Sequence, residues 1–416
     1  MILPDTCDDY LCSCLTPLEL VRYSQTCRDA YRAVKSHFQR AYNLKRTLSR
    51  FMSADEVDRF QLLQSETGTV ISGSVALQFM GRYEFASSDL DIYTEHRYAK
   101  RVGDFLMSLG YQYKPRHTQS PSFTVEVARD ELIPGVLAGF AGAGIYGSNA
   151  MCGAYNFVKP NYPDDMIQLI TARLGVMDLI LDFHCTAVMN IITHRNAYAL
   201  FPYETYHAKR ALVARKTPAR REEAALAKYQ TRGWKIRRSV YDAEADDPER
   251  EFGQATRRVG DKMTWVVPLN QRGEQSALAI DTVVGNSWTL MYHDHSSDLY
   301  GRPTQGYAKM MRHTVPTGQE RWRQIYTFAT SAHHTVFMAY LRHIQPDETK
   351  QNDADVVHAV EMSYVRLVRS DSEVMEDYGT VAQVQADYEE RLFRSYAGEA
   401  HGEGVSDESD SGDSSD

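Results

Sequence analysis

Cysteine is scarce in this chain of 416 residues: there are six, and no two are spaced as CxxC. Cys7, Cys12, Cys14 and Cys27 crowd the N-terminus while Cys152 and Cys185 stand alone, which suits small buried helix residues better than a zinc centre. There is no apolar run of about 18 residues, so no membrane-spanning helix is expected. The opening MILPDTCDDY carries acids where a secretion signal needs Lys or Arg. A reducing cytoplasmic or nuclear location is therefore the expectation. No internal repeat and no nucleophile elbow occurs, so neither a solenoid nor a serine or cysteine hydrolase is expected.

Positive charge is missing from the C-terminus. GEAHGEGVSDESDSGDSSD holds seven acids and no Lys or Arg, and from residue 397 the chain lacks the apolar content to pack, so a disordered acidic tail is expected. With those seven set aside from the net charge of −9, the rest carries only −2. That balance gives no overall reason to expect a nucleic-acid binder. Charge is segregated locally, however: residues 209–238 hold eleven Lys or Arg and two acids, interrupted by Pro218 and Gly233. The stretch reads as a solvated helical excursion, with nucleic-acid contact as the alternative.

Apolar residues make up 43% of the chain, enough for a sizeable core and for two or three domains. Thr16-Pro17-Leu18-Glu19 is a capping box with proline at the first helical position, so a helix begins there. Leu20, Ser24, Cys27, Tyr31, Val34 and Phe38 then draw one stripe at a spacing of three or four residues, preceded by a shorter helix in LPDTCDDYLCSCL. Ser53 to Glu56 is a second capping box, with Gly68 as the stop. From there strands and helices alternate: TVIS, VALQFM, LDIYT, a helix over 95–109, and the strands FTVEVA and MIQLI. Alternation of this kind predicts an α/β core. Further on, KMTWVVPL, ALAIDTVV and SWTLMY read as three strands of a sheet, followed by a helix in ERWRQIYTFATSAHHTVFMAYLRHI.

The stretch ISGSVALQFMGRYEFASSDLDIY, 71–93, carries the most chemistry. In a strand, residues i and i+2 project together, so Asp89 and Asp91 aim their carboxylates into one space. Two converging carboxylates repel unless solvent or a cation relieves them, and Mg²⁺ is the usual resident beside a phosphate. Gly73-Ser74, between a strand and a helix, offers backbone N–H groups and a hydroxyl at the positive helix end.

Gly73-Ser74, fourteen residues, then Asp89-Leu90-Asp91-Ile92 resembles the signature of the DNA polymerase β type nucleotidyltransferases. The resemblance implies that Gly73 and Ser74 grip the triphosphate of an NTP and that Asp89 and Asp91 hold Mg²⁺ as the catalytic acids. A third carboxylate completes such a site in that family, and the strand that should supply it, MIQLI, puts Gln168 there. Asp164, Asp165, Asp182 and Glu126 are the possible substitutes. An amide cannot act as a general base near neutral pH, so a degenerate, ligand-binding domain stands beside an active one.

Together with LTPLELVRYSQTCRDAYRAV and FHCTAVMNIITHRNAYALFP, these segments are similar to fungal proteins joining an F-box-like segment to a nucleotidyltransferase-like domain. The resemblance covers about residues 1–207. It implies that Leu3, Pro4, Leu15, Pro17 and Leu20 meet the Skp-type adaptor of a cullin ubiquitin ligase; packing on the chain's own core is the alternative. The expected organisation is an F-box-like helical segment over 1–50, a nucleotidyltransferase-like core with a mixed sheet over 51–207, a basic helical insertion over 208–260, a β-rich extension with closing helices over 261–396, and the tail. The expected function is that of a substrate adaptor with a ligand-binding domain; the alternative is an Mg²⁺-dependent enzyme moving a nucleotidyl group from an NTP to an acceptor.

Lesser motifs point to structure. YHDHSSD at 292–298 offers two His and two Asp without a distant partner, GAGIYG at 142–147 follows no clear strand, His184 reads as a satisfied core histidine, and His333-His334 as a pair on a helix face.

Overall fold

The computed structural model describes residues 5–85, 88–132, 150–214 and 220–269, and between 281 and 328 the segments 281, 283–284, 286–293, 296–297, 303–304, 307–311, 313–315 and 326–328. The chain divides into two units, one of residues 1–35 with 375–416 and one of residues 36–374.

In the first unit, α1 (Asp5–Cys14) precedes α2 (Pro17–Ser24). The expected capping box is formed: Thr16 Oγ1 accepts the Glu19 N–H, and Glu19 Oε2 accepts the Thr16 N–H at 2.7 Å. Leu20 and Val21 are buried. Helix α3 (Arg28–Ala41) begins in this unit and ends in the second.

The second unit continues with α4 (Leu44–Leu48) and α5 (Ala54–Thr67). Ser53 and Glu56 cap α5 reciprocally, and Gly68 ends it at φ +64. Then come β1 (Val70–Ser72), α6 (Gly73–Gly81), β2 (Leu90–Glu95), α7 (Ala99–Ser108) and β3 (Gln112–Lys114). They are followed by α8 (Phe123–Leu132), β4 (Met151–Lys159), β5 (Tyr162–Ala172), α9 (Val176–Ile180), β6 (Asn190–Ile192) and β7 (Asn196–Ala199). The basic stretch supplies β8 (Arg210–Leu212), α10 (Arg220–Thr231) and β9 (Lys235–Arg237). After these lie α11 (Asp242–Ala245), β10 (Thr256–Arg258), β11 (Trp265–Pro268) and β12 (Ser287–His293).

The main sheet has eight strands in the order β11-β7-β6-β1-β2-β5-β4-β3. It is mixed: β2 runs parallel to β5 and every other neighbouring pair is antiparallel. The central strands are buried, with Leu90, Ile92, Ile167 and Leu169 fully enclosed. The expectation of a mixed α/β protein is met.

Three expectations are corrected. FTVEVA is the start of α8 and not a strand: Phe123, Glu126 and Val127 are buried while Val125 is 56% exposed, a helical spacing that a short alternating run conceals. Tyr326–Phe328, inside the expected closing helix, is a strand paired with His313–Val315; the rest of that stretch lies outside the described residues. KMTWVVPL and SWTLMY do not share a sheet. The first gives β11, paired with β7 at the edge of the main sheet, and the second gives β12, between β10 and the strand Tyr307–Met311. Of ALAIDTVV only Asp281, Val283 and Val284 are described, the two valines in a turn.

The basic stretch is packed in part, and so is not the wholly solvated excursion expected. Leu226, Tyr229 and Trp234 are buried, and ion pairs engage Arg210 with Glu204, Arg237 with Glu244 and Arg238 with Glu223. Among the described residues no helix is long and apolar enough to cross a membrane.

Candidate functional site

The corner between β1 and α6 depends on Gly73. It takes φ +69, which only glycine adopts without strain, and a Cβ there would stand 2.6 Å from Asp91 Oδ2. The absence of a side chain is what lets the Asp91 carboxylate lie against the start of α6. Ser72 pairs with Asp91 across the β1–β2 ladder, and its hydroxyl donates to the Asn190 carbonyl at 2.5 Å, leaving α6 without a side-chain cap. Ser74 is buried in the first turn. Gln78 of α6 holds residues on the way to β2: its Oε1 accepts the Phe85 N–H at 2.8 Å and its Nε2 donates to Ser88 Oγ at 3.0 Å.

Asp91 lies in β2 and Asp89 one residue ahead of the strand. The two interact: burial first, then the Asp89 charge, pushes the Asp91 carboxyl up to about 7, against the pull of Lys228. Burial also raises Asp89, opposed by Lys228 and Arg50. Lys228, exposed on α10, is lowered by burial of its inner part and by Arg232, with both acids opposing. Of the four residues singled out from the sequence, Gly73 lies against Asp91 and Asp91 feels the Asp89 charge, while Ser74 sits in the first turn of α6. Lys228 was not foreseen; it lies in the stretch read as solvated, and nothing local marks it.

The position beside Asp91 on the parallel neighbour is Gln168, and beyond it on β4 lies Asn156, whose Oδ1 accepts from Gln168 Nε2 at 2.9 Å. Lateral neighbours share a face, so the row reads Asp91, Gln168, Asn156. The four possible third acids are placed elsewhere. Asp165 pairs with Arg50 at 2.7 Å, Glu126 accepts the Ser120 N–H at 2.7 Å, Asp164 is exposed, and Asp182 is part-exposed past the end of α9. Among the described residues no group of three or more His, Cys, Asp or Glu is arranged to hold a metal ion. Two carboxylates, one bonded amide and an ammonium are a donor set that does not fit a two-ion magnesium centre.

His184 is buried and stacks on Tyr229 of α10, ring centroids 5.9 Å apart. Of the residues the resemblance assigns to a partner, Leu15 and Pro17 are part-exposed and Leu20 is fully buried; Leu3 and Pro4 lie outside the described residues. So do GAGIYG, His333-His334, the tail, and Asp294, His295 and Asp298 of YHDHSSD.

An aspartate whose folded-state pKa lies above its unfolded value makes the ionised native state costly. That cost is absent below the usual carboxylate range and fully present above about 7. Asp91→Asn removes it and is expected to exceed the parent chain in stability by about 2 kcal/mol at pH 8, a figure reduced for partial solvent access, and by nothing near pH 4. Thermal melting at the two pH values reads the difference; equal melting at pH 8 would show that Asp91 carries no such penalty.

Comparison with family models, with curated proteins and with solved structures returns no match for this chain.

Proposed function

We propose that the chain is a protein-interaction adaptor: its F-box-type N-terminal helices engage a Skp-type subunit of a cullin ubiquitin ligase, and its nucleotidyltransferase-like sheet binds a nucleoside triphosphate without turning it over. The observation that carries the second half is Gln168. It stands in register with Asp91 and is tied to Asn156, so the place that would complete an acid triad holds a group unable to take a proton. The Gly73-Ser74 corner keeps what phosphate binding needs, a tight turn at a helix start without a side-chain cap. For the first half, support comes from the capped α2 with Leu15 and Pro17 part-exposed at its approach.

Calorimetric titration with each of the four nucleoside triphosphates, with and without Mg²⁺, is expected to show binding that Asp91 and Gly73 variants weaken, and labelled nucleotide is expected not to be incorporated into any acceptor. Metal-dependent incorporation lost on Asp89→Asn would establish the enzyme instead, and absence of binding at millimolar nucleotide would remove this half of the proposal. The adaptor half predicts co-purification with a Skp-type protein, lost on Leu15→Asp with Pro17→Asp. Leu20 is a poor probe because a charge there would disrupt the chain's own packing. Retention of the partner by the double variant would exclude this surface.

A further inference from the structure

Two backbone irregularities occur in succession ahead of β8. Tyr203–His207 is a π-helical turn, and Lys209 takes φ +54, a left-handed conformation costing a non-glycine residue on the order of 1 kcal/mol. Distortions of this kind persist where the surroundings over-determine them, and they gather at functional positions. Here they deliver one amine to an aromatic box. Lys209 Nζ lies 4.0 Å from the centre of the Tyr83 ring and 4.7 Å from that of Trp234, and it donates to the Tyr83 hydroxyl. Trp234 is buried and its indole N–H donates to the Thr205 carbonyl, inside the π turn, at 2.9 Å. Tyr83 in turn stacks on Tyr206 of that turn, centroids 6.2 Å apart.

Two effects compete at this nitrogen. The ring faces and the phenol oxygen favour the ammonium, whereas burial favours the neutral amine. A carboxylate would tip the balance to the ammonium, but among the described residues no carboxylate is ion-paired with Lys209. Burial is the cause that lowers its pKa, to about 8. The residue is half-buried rather than enclosed.

We propose that Lys209 is a modification site, an intrinsic amine nucleophile held between Tyr83 and Trp234 that takes an acyl group from an activated acyl donor of the thioester class. The lone pair of the neutral amine attacks the thioester carbonyl carbon; the C–N bond forms, the C–S bond breaks, and the departing thiolate takes the proton the nitrogen loses. The amide product carries no charge and gives up the cation–ring contacts.

The test uses the intact full-length chain, acetyl coenzyme A near pH 8 and site-resolved mass spectrometry over time, with the exposed Lys114 and Lys235 as internal references. Lys209 is expected to be acetylated about tenfold faster than either. The gain in neutral amine exceeds that figure; lower basicity and half-burial offset much of it. A Lys209 rate equal to or below that of the two references would overturn the proposal and leave the rings as a clamp on a permanent ammonium. No variant is needed, so folding of a mutant does not enter the result.

Discussion

Arg257→Ala is expected to be the most destabilising single change in the second unit, by about 3–5 kcal/mol. The side chain is 1% exposed. Its guanidinium lies 5.4 Å from the Trp288 ring centre and 5.6 Å from that of Phe201, donates to Asp261 through Nε at 2.6 Å and Nη2 at 3.1 Å, and gives a further hydrogen bond to the Leu200 carbonyl at 3.1 Å. Burial works against ionisation of Asp261, but the Arg257 charge and hydrogen bonds, with the Arg258 N–H and Thr264 hydroxyl, outweigh it and hold the carboxyl below its usual range. Truncation therefore does two costly things at once. It empties space beside two large rings, and it leaves a part-buried carboxylate, 15% exposed, without its cation. Because the Asp261 pKa is depressed, the stability this pair contributes is present above the usual carboxylate range and fades as pH falls through the depressed value, so the gap between variant and parent should narrow in acid. Urea unfolding of Arg257→Ala, Asp261→Ala and the double variant reads the coupling; strict additivity would show that the pair does not act as a unit.

Gly73→Ala is expected to cost about 2–3 kcal/mol and, under the nucleotide-binding function proposed above, to weaken that binding at least tenfold. The strain of φ +69 accounts for about 1 kcal/mol, and the remainder comes from the methyl group, which would stand 2.6 Å from Asp91 Oδ2 and force the carboxylate away. Gly110 is the matched control: it also has positive φ, +86, but nothing lies within 4 Å of its missing Cβ. Gly110→Ala should therefore carry only the backbone cost and leave binding intact. Thermal melting with nucleotide titration separates the two. Equal losses at both positions would mean that conformation alone matters and that Gly73 has no part in shaping the site.

Much of the local structure was legible from residues that act on their near neighbours. Both capping boxes are i to i+3 exchanges, and Gly68 stops α5 by a backbone preference of its own. The β1, α6, β2 succession follows from hydrophobic spacing and the break at Gly73, whereas the expectation that both aspartates lie in one strand holds for Asp91 alone, since β2 begins at Leu90. FTVEVA is ambiguous for a physical reason: six residues satisfy periods of both 2 and 3.6, and only the burial of Phe123, Glu126 and Val127 against the exposure of Val125 decides between them.

The tertiary structure decided what stands beside what. That Gln168, and no acid, is level with Asp91 is a matter of strand register; that Lys228 faces the acid pair, that Lys209 sits between Tyr83 and Trp234, and that Arg257 finds Asp261 among aromatic rings are matters of packing. The sequence alone determined the elements governed by backbone preference and by contacts a turn or two apart. Pairings between segments far apart in the chain, 126 residues for Lys209 and Tyr83, are selected by burial of the whole sheet and its helices, and no short window of the chain contains that information.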